Sequence, residues 1–127
     1  MKPEEGLPAS AFRCRLSGLE VLTKYLKENQ NKSINQISDI LSRKRSTIYN
    51  TYRIAKRKMP SALNISEDII IPFNIFTDRK YSILESIVVY LRDDSHKSFS
   101  EISRLIAKKE STLRTVYWRY KKKWMKH

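Results

Sequence analysis

Two stretches that mix basic, aromatic and hydroxyl-bearing side chains are the part of this chain best suited to chemistry. The sequence reads RKRSTIYNTYRIAKRK from Arg43 to Lys58 and KKESTLRTVYWRYKKK from Lys108 to Lys123, with Glu110 as the one acid. They account for about the whole net charge of +13 on a chain of 127 residues. Clustered cations favour a polyanionic partner, because each neutralised phosphate releases condensed counterions. Nucleic acid is therefore the first candidate partner.

Catalytic and cofactor chemistry find little support in the sequence. His96 and His127 have no evident partner residue for nucleophilic or acid–base catalysis, and Cys14 is the only cysteine. A lone cysteine with two distant histidines does not form a zinc site, and two glycines, Gly6 and Gly18, do not form a phosphate-binding loop. We expect no enzyme activity, no cofactor, no metal and no small-molecule ligand.

The apolar content and its distribution indicate where in the cell the protein is expected. The hydrophobic fraction of 40% fits a folded globular protein. Uninterrupted apolar runs such as Ile87–Leu91 are far shorter than the roughly 20 residues that cross a bilayer. The first residues lack the pattern of a secretory signal. We expect a cytoplasmic, nucleoid-associated protein without membrane contact.

The two basic stretches belong to a longer internal repeat. A shift of 65 positions aligns residues 16–58 with 81–123, with about fifteen identities in roughly 43 positions. A one-residue gap extends the match upstream and pairs Leu7 with Ile71 and Phe12 with Phe76. The sequence therefore predicts an internal duplication.

Serine residues followed three positions later by Glu or Gln predict where helices begin, because such a pair satisfies two backbone N–H groups reciprocally. Apolar residues then recur at helical spacing, which predicts a first helix over about 18–29, a second over about 34–42 and a third amphipathic segment after it. The four predicted capping pairs are Ser17 with Glu20, Ser33 with Gln36, Ser82 with Glu85 and Ser98 with Glu101.

Only about four residues separate the second and third helices, which favours a steep crossing, with Ser38 and Ser103 as the small residues where the helix axes approach. The run ISDILSRKRSTIY from Ile37 to Tyr49 resembles the helix-turn-helix of region 4 of bacterial sigma factors and related small regulators, and so does its second copy. That resemblance implies a third helix that enters the DNA major groove.

The chain departs from that family at the turn between the second and third helices. Ser42 and Ala107 stand near the position where the family usually has a glycine. Lys44 and Lys109 stand at the family's capping serine, so we expect the third helix to begin later, with Ser46 or Ser111 as its cap.

The resemblance assigns two roles to the side chains of the third helices. Arginine suits guanine and asparagine suits adenine in the major groove, while flanking cations contact phosphates. The base-reading candidates are Arg45, Ser46, Tyr49, Asn50 and Arg53 in the first copy, and Glu110, Ser111, Arg114, Thr115 and Trp118 in the second. The phosphate candidates are Arg43, Lys44, Lys56, Arg57, Lys58, Lys108, Lys109, Lys121, Lys122 and Lys123. The different reading sets predict an asymmetric target.

The predicted fold is all-α, with two tandem three-helix units over residues 7–58 and 71–124 and a linker over 59–70. The apolar run that leads into the second unit favours an extended strap docked on one or both cores. A short hairpin wing is the alternative, and Pro72 disfavours a central strand. The relative orientation of the units, translated or related by a two-fold axis, stays open.

The sequence therefore predicts a small transcription regulator that binds double-stranded DNA and acts by occupancy, either blocking RNA polymerase or touching it. An architectural or adaptor protein is the alternative, because Trp118, Trp124 and Met125 could form a protein-binding surface. RNA is a lesser third partner, since no sheet carries aromatic residues for base stacking.

Overall fold

A computed structural model describes residues 6–65 and 69–125 and is mostly helical in that part of the chain. One order of elements occurs twice. The first half comprises β1 (Gly6–Pro8), a 3-10 turn (Ala9–Phe12), α1 (Gly18–Lys24) continued by a π-helical segment (Tyr25–Asn29), α2 (Ile34–Leu41) and α3 (Arg45–Lys58). The second half comprises β2 (Ile70–Pro72), a 3-10 turn (Phe73–Phe76), α4 (Ile83–Val89) continued by a π-helical segment (Tyr90–Asp94), α5 (Phe99–Ile106) and α6 (Glu110–Met125).

All four predicted capping boxes are confirmed. In the first, the Ser17 hydroxyl accepts the Glu20 N–H, and the Glu20 carboxylate accepts the Ser17 N–H at 2.9 Å. The other three boxes, at the starts of α2, α4 and α5, have the same pair of bonds. The predicted limits of the first two helices, 18–29 and 34–42, agree with the structure to within one residue.

The predicted late start of the third helix is wrong. α3 begins at Arg45 with Lys44 as its N-cap, and no side chain caps it. The Ile48 N–H donates to the Lys44 carbonyl oxygen at 3.0 Å, so the first turn is already helical at that point. Ile48 is fully buried, and its burial outweighs the local preference for a serine cap. Similarly, α6 begins at Glu110.

The turn before each third helix is left-handed although it carries no glycine. Ser42 has φ 55° and Ala107 has φ 56°. A non-glycine residue pays a steric cost of roughly 1 kcal/mol or more in this conformation. The Ser38 hydroxyl donates to the Arg43 carbonyl oxygen and the Ser103 hydroxyl donates to that of Lys108, so the predicted small residues also tie the turn to the second helix.

One hydrophobic core runs through both halves, with α1 packed against α3 and α4 packed against α6. The third helices insert a narrow apolar stripe, Ile48 and Ala55 in α3, and Leu113 and Val116 in α6. Most of the remaining surface of these helices is open to solvent, and the basic stretches lie there.

The apolar strap before the second half docks on the core, and it does so as a strand. β2 pairs antiparallel with β1, and Leu7 lies opposite Ile71 in the centre of the ladder. Pro72 is compatible with this strand because both strands of a two-stranded sheet are edges. The hairpin wing is wrong, because the partner of β2 is the strand at the start of the chain.

Candidate nucleic-acid interface

The first two turns of α3 present the predicted base-reading residues to solvent. Arg45, Ser46, Tyr49, Asn50 and Arg53 are all exposed, and Tyr49 retains 55% of its accessible surface. Their exposure follows from the orientation of α3, because Ile48 and Ala55 fix which face of the helix meets the core. The structure thus brings together a guanidinium, an amide and a phenol on one exposed face.

The corresponding face of α6 differs in chemistry and in engagement. Ser111, Arg114, Thr115 and Trp118 are exposed, and Trp118 retains 64% of its surface. Glu110 is only half-exposed, and it forms an ion pair with Arg114 at 3.6 Å. The Arg114 guanidinium also lies over the Phe99 ring, 5.1 Å from its centre. Both of these predicted readers therefore already have partners within the chain.

Arg43 differs from the other phosphate candidates because the fold occupies it. Its guanidinium donates to the Leu41 carbonyl at 2.7 Å and to the Phe76 carbonyl of the other half at 3.1 Å. Burial, together with the charge of Arg79, lowers the pKa of Arg43. The position of this side chain indicates that it joins the two halves.

In the first half, the other phosphate candidates are mostly unengaged. Lys44, Lys56 and Arg57 are exposed. Lys56 lies over the Tyr52 ring at 5.8 Å, and within the described residues none of the three forms an ion pair. Lys58 pairs with Glu20 at 3.1 Å. α3 therefore keeps most of its cations available.

In the second half, ion pairs engage more of the basic residues. Lys121 pairs with Asp93 at 2.8 Å, and Lys123 pairs with Glu85 at 2.8 Å. Arg119, which is not among the predicted contacts, binds the other Glu85 oxygen at 2.9 Å. The remaining candidates of this half are Lys108, which is half-buried, and Lys109 and Lys122, which are exposed.

Glu20 and Glu85, which the sequence predicts as helix caps, also hold the third helices through ion pairs that the sequence pattern did not predict. Glu85 is the strongest case, because its side chain is only 2% exposed and accepts from two cations as well as from the Ser82 N–H. Burial alone would raise the pKa of Glu85, but the bonds from Lys123, the Ser82 backbone and Arg119 hold it below its ordinary value. Glu20, with Lys58, is the counterpart in the first half. The available signal was that both acid–lysine pairs recur 65 positions apart.

A second bracing contact joins the middle of each third helix to the end of the first. The Tyr52 hydroxyl donates to Glu28 at 2.9 Å, and the Tyr117 hydroxyl donates to Asp93 at 2.9 Å. In each case burial raises the pKa of the tyrosine, and the hydrogen bond to the carboxylate raises it further. These hydrogen bonds therefore make both tyrosines part of the scaffold.

Searches among protein families, curated proteins and solved structures gave no match to this chain. Among the described residues, no group of His, Cys, Asp or Glu is placed to hold a metal ion. No helix in the same part of the chain is long and apolar enough to cross a membrane.

Proposed function

We propose that this chain is a small transcription regulator that binds double-stranded DNA sequence-specifically. α3 and α6 are the recognition helices of two tandem helix-turn-helix units that arose by internal duplication. The observation that carries this proposal is the exposed face of α3, where Arg45, Asn50 and unpaired cations project from a helix anchored by a narrow buried stripe. Such a helix can enter a major groove without unpacking its core.

The connection between the helices supports the helix-turn-helix assignment. Only Ser42, Arg43 and Lys44 separate α2 from α3, and the left-handed Ser42 turns the chain sharply between them. The same three-residue connection, with Ala107 left-handed, precedes α6. A short turn of this kind sets the third helix across the second and leaves its first turns protruding.

The side-chain chemistry supports direct readout of bases. A guanidinium donates two hydrogen bonds to guanine O6 and N7, and an asparagine amide pairs with adenine N6 and N7. Arg45 and Asn50 supply these groups within about a turn and a half of α3. Lys44, Lys56 and Arg57 flank them and would neutralise phosphates.

Regulation would follow from occupancy of the DNA. A chain bound with two recognition helices would block RNA polymerase at its site or contact the polymerase directly. Two linked modules also bind more tightly than one, because the second engagement is intramolecular.

An architectural or adaptor protein is the second candidate, and α6 gives it an observation of its own. Trp118, Trp124 and Met125 retain 64%, 59% and 73% of their surface. Exposed large apolar side chains on one helix are typical of a protein-binding surface. α3 has fewer exposed apolar side chains and more free cations, which favours the DNA proposal for the chain as a whole.

Selection of duplexes from a random library tests the proposal. Wild-type protein should enrich a defined motif. The double variant Arg45→Ala/Asn50→Ala should lose about 100-fold or more in affinity for it, because each bidentate contact discriminates by roughly 1–3 kcal/mol. Arg15→Ala/Asn29→Ala is the matched control, since it removes the same residue types from exposed positions outside α3. Equal affinity of the two double variants would contradict base reading by α3 and favour the adaptor.

A further inference from the structure

The pairing of β1 with β2 has the symmetry of a two-fold axis. The two strands are three residues long and hold the same place in the repeated order of elements. Their central residues, Leu7 and Ile71, oppose each other, while Gly6 opposes Pro72 and Pro8 opposes Ile70. An antiparallel pair in which equivalent residues face each other maps onto itself by a rotation of half a turn. The axis passes between Leu7 and Ile71.

Two further contacts join residues that are equivalent in the two halves. The rings of Phe12 and Phe76 lie 6.4 Å apart. Gly18, at the start of α1, lies against Ile83, at the start of α4, so closely that a Cβ atom on Gly18 would stand 2.5 Å from Ile83 Cγ2. Self-equivalent contacts are the mark of an isologous interface, whereas a translated pair brings together non-equivalent surfaces.

A further pair of contacts between the halves is exchanged in both directions. The 3-10 turn Ala9–Phe12 of the first half packs against α5, and the 3-10 turn Phe73–Phe76 of the second half packs against α2. Each half thus gives its leading segment to the second helix of the other. This reciprocity extends the symmetry of the strands to the helices.

Two ion pairs indicate which ends of the third helices lie near the axis. Lys58 at the end of α3 pairs with Glu20, and Lys123 near the end of α6 pairs with Glu85. Both carboxylates lie two residues past the Gly18–Ile83 contact on the axis. The C-terminal ends therefore converge there, and the base-reading turns lie farther out.

Helix length sets how far apart the reading turns can be. α3 spans fourteen residues, which is about 21 Å at 1.5 Å per residue. If the two helices start near the axis and point in opposite directions perpendicular to it, the distance between their reading ends is at most roughly 40 Å. Successive major-groove faces on one side of B-DNA repeat about every 34–36 Å, within that reach.

We infer that the two recognition helices of the proposed function are related by an intramolecular two-fold axis, and that the DNA target is an inverted pair of half-sites about one helical turn apart. The inference rests on the proposed DNA binding. The half-sites differ in sequence, because Arg45 and Asn50 of α3 correspond to Glu110 and Thr115 of α6. One chain therefore does what a symmetric dimer does at a palindrome, with a different reader on each side.

A binding measurement tests the arrangement of half-sites. Three duplexes carry the two half-sites of the selected motif as an inverted pair at 10 base pairs, as a direct repeat at the same spacing, and as an inverted pair with five base pairs inserted. The inverted pair should bind at least about tenfold more tightly than the other two, because only it engages both helices. A direct repeat that binds as well as the inverted pair would overturn the inference.

A stability measurement tests the axis without DNA. Gly18→Ile alone should lower the melting temperature by about 5 °C or more through overpacking against Ile83. The exchanged pair Gly18→Ile/Ile83→Gly should recover most of that loss, because a two-fold axis recreates the contact with the roles reversed. If Gly18→Ile prevents folding, Gly18→Ala and the double variant Gly18→Ala/Ile83→Gly are compared in the same way. No recovery in either double variant would overturn the symmetry, whereas recovery in a protein that enriches no motif from the random library would mean that the proposed function has failed instead.

Discussion

α3 and α6 hold the same place in the two halves of the molecule but use their cations differently. On α3, Lys58 alone forms an ion pair among the described residues, whereas on α6 four basic side chains do so. The four on α6 are Arg114, Arg119, Lys121 and Lys123. Cations that are paired within the chain bind a phosphate less readily, because the existing pair must first be broken. The same arrangement of helices therefore gives one half whose third-helix cations are mostly unpaired and one half whose third-helix cations are mostly held in ion pairs.

A single position on the first helix of each half explains part of this difference. Lys24 is fully buried and pairs with Glu28 at 2.7 Å, so Glu28 is already neutralised and Lys56 is left exposed. The residue equivalent to Lys24 is Val89. Asp93 therefore takes its cation from α6, where its hydrogen bond raises the pKa of Lys121.

The largest expected effect is a difference in DNA binding between variants that remove cations from α3 and variants that remove cations from α6. Lys56→Gln/Arg57→Gln should weaken DNA binding about 10- to 100-fold at low salt and reduce the slope of log K against log salt by nearly 2, because roughly 0.9 is lost per phosphate contact. Lys121→Gln/Lys123→Gln removes the same charge and should change the slope much less. Titration of one duplex at several salt concentrations measures both, and equal slopes would show that the ion pairs of α6 do not withhold its cations.

A smaller effect is expected on stability, where the loss of charge at Glu85 should cost more than the loss of charge at Glu20. Glutamine still accepts the capping hydrogen bond, so Glu85→Gln and Glu20→Gln test the charge alone. We expect a loss of about 2 kcal/mol in the free energy of unfolding for Glu85, which is buried with two cations, and about 1 kcal/mol for Glu20, which has one half-exposed partner. Urea denaturation measures both, and the exposed capping variant Glu101→Gln should change least.

The pH dependence of Glu85→Gln checks the cause of that loss. The pKa of Glu85 in the folded chain lies below its ordinary value of 4.5, because its bonds to cations and backbone outweigh the effect of burial. Its charge therefore stabilises the fold above pH 4.5, and this contribution disappears as the pH falls through the lowered pKa. Wild type and variant should differ at neutral pH and converge in acid. A constant difference at all pH values would assign the loss to packing.

The smallest expected effect comes from a substitution that gives the second half the buried lysine of the first half. Val89→Lys should let the new lysine pair with Asp93 as Lys24 pairs with Glu28, and so release Lys121. The salt slope of DNA binding should then rise by up to about 1, since one further cation can reach a phosphate. Val89→Met is the control for side-chain size. An unchanged slope with Val89→Lys would mean that Lys121 stays on Asp93.

The sequence determined the local structure closely. Each capping box depends on residues three positions apart, and each helix face depends on apolar spacing of three to four, so both could be predicted without knowledge of the fold. The exposure of Arg45, Asn50 and Trp118 followed from the same periodicity, because burial of Ile48 and Leu113 sets the orientation of their helices. The role of these exposed residues in DNA binding stays a prediction.

Tertiary structure decided how the halves meet and which cations are free. Pairing of Leu7 with Ile71, the contact of Arg43 with Phe76, and the bonds of Glu85 with α6 join residues more than 30 positions apart. No local preference selects such partners, because each competes with water and with many alternative pairings until the core brings the two groups together. The start of α3 shows the same rule, since burial of Ile48 overrode the capping preference of Ser46. The sequence thus determined the helices and their polar faces, and packing determined what those faces are left free to bind.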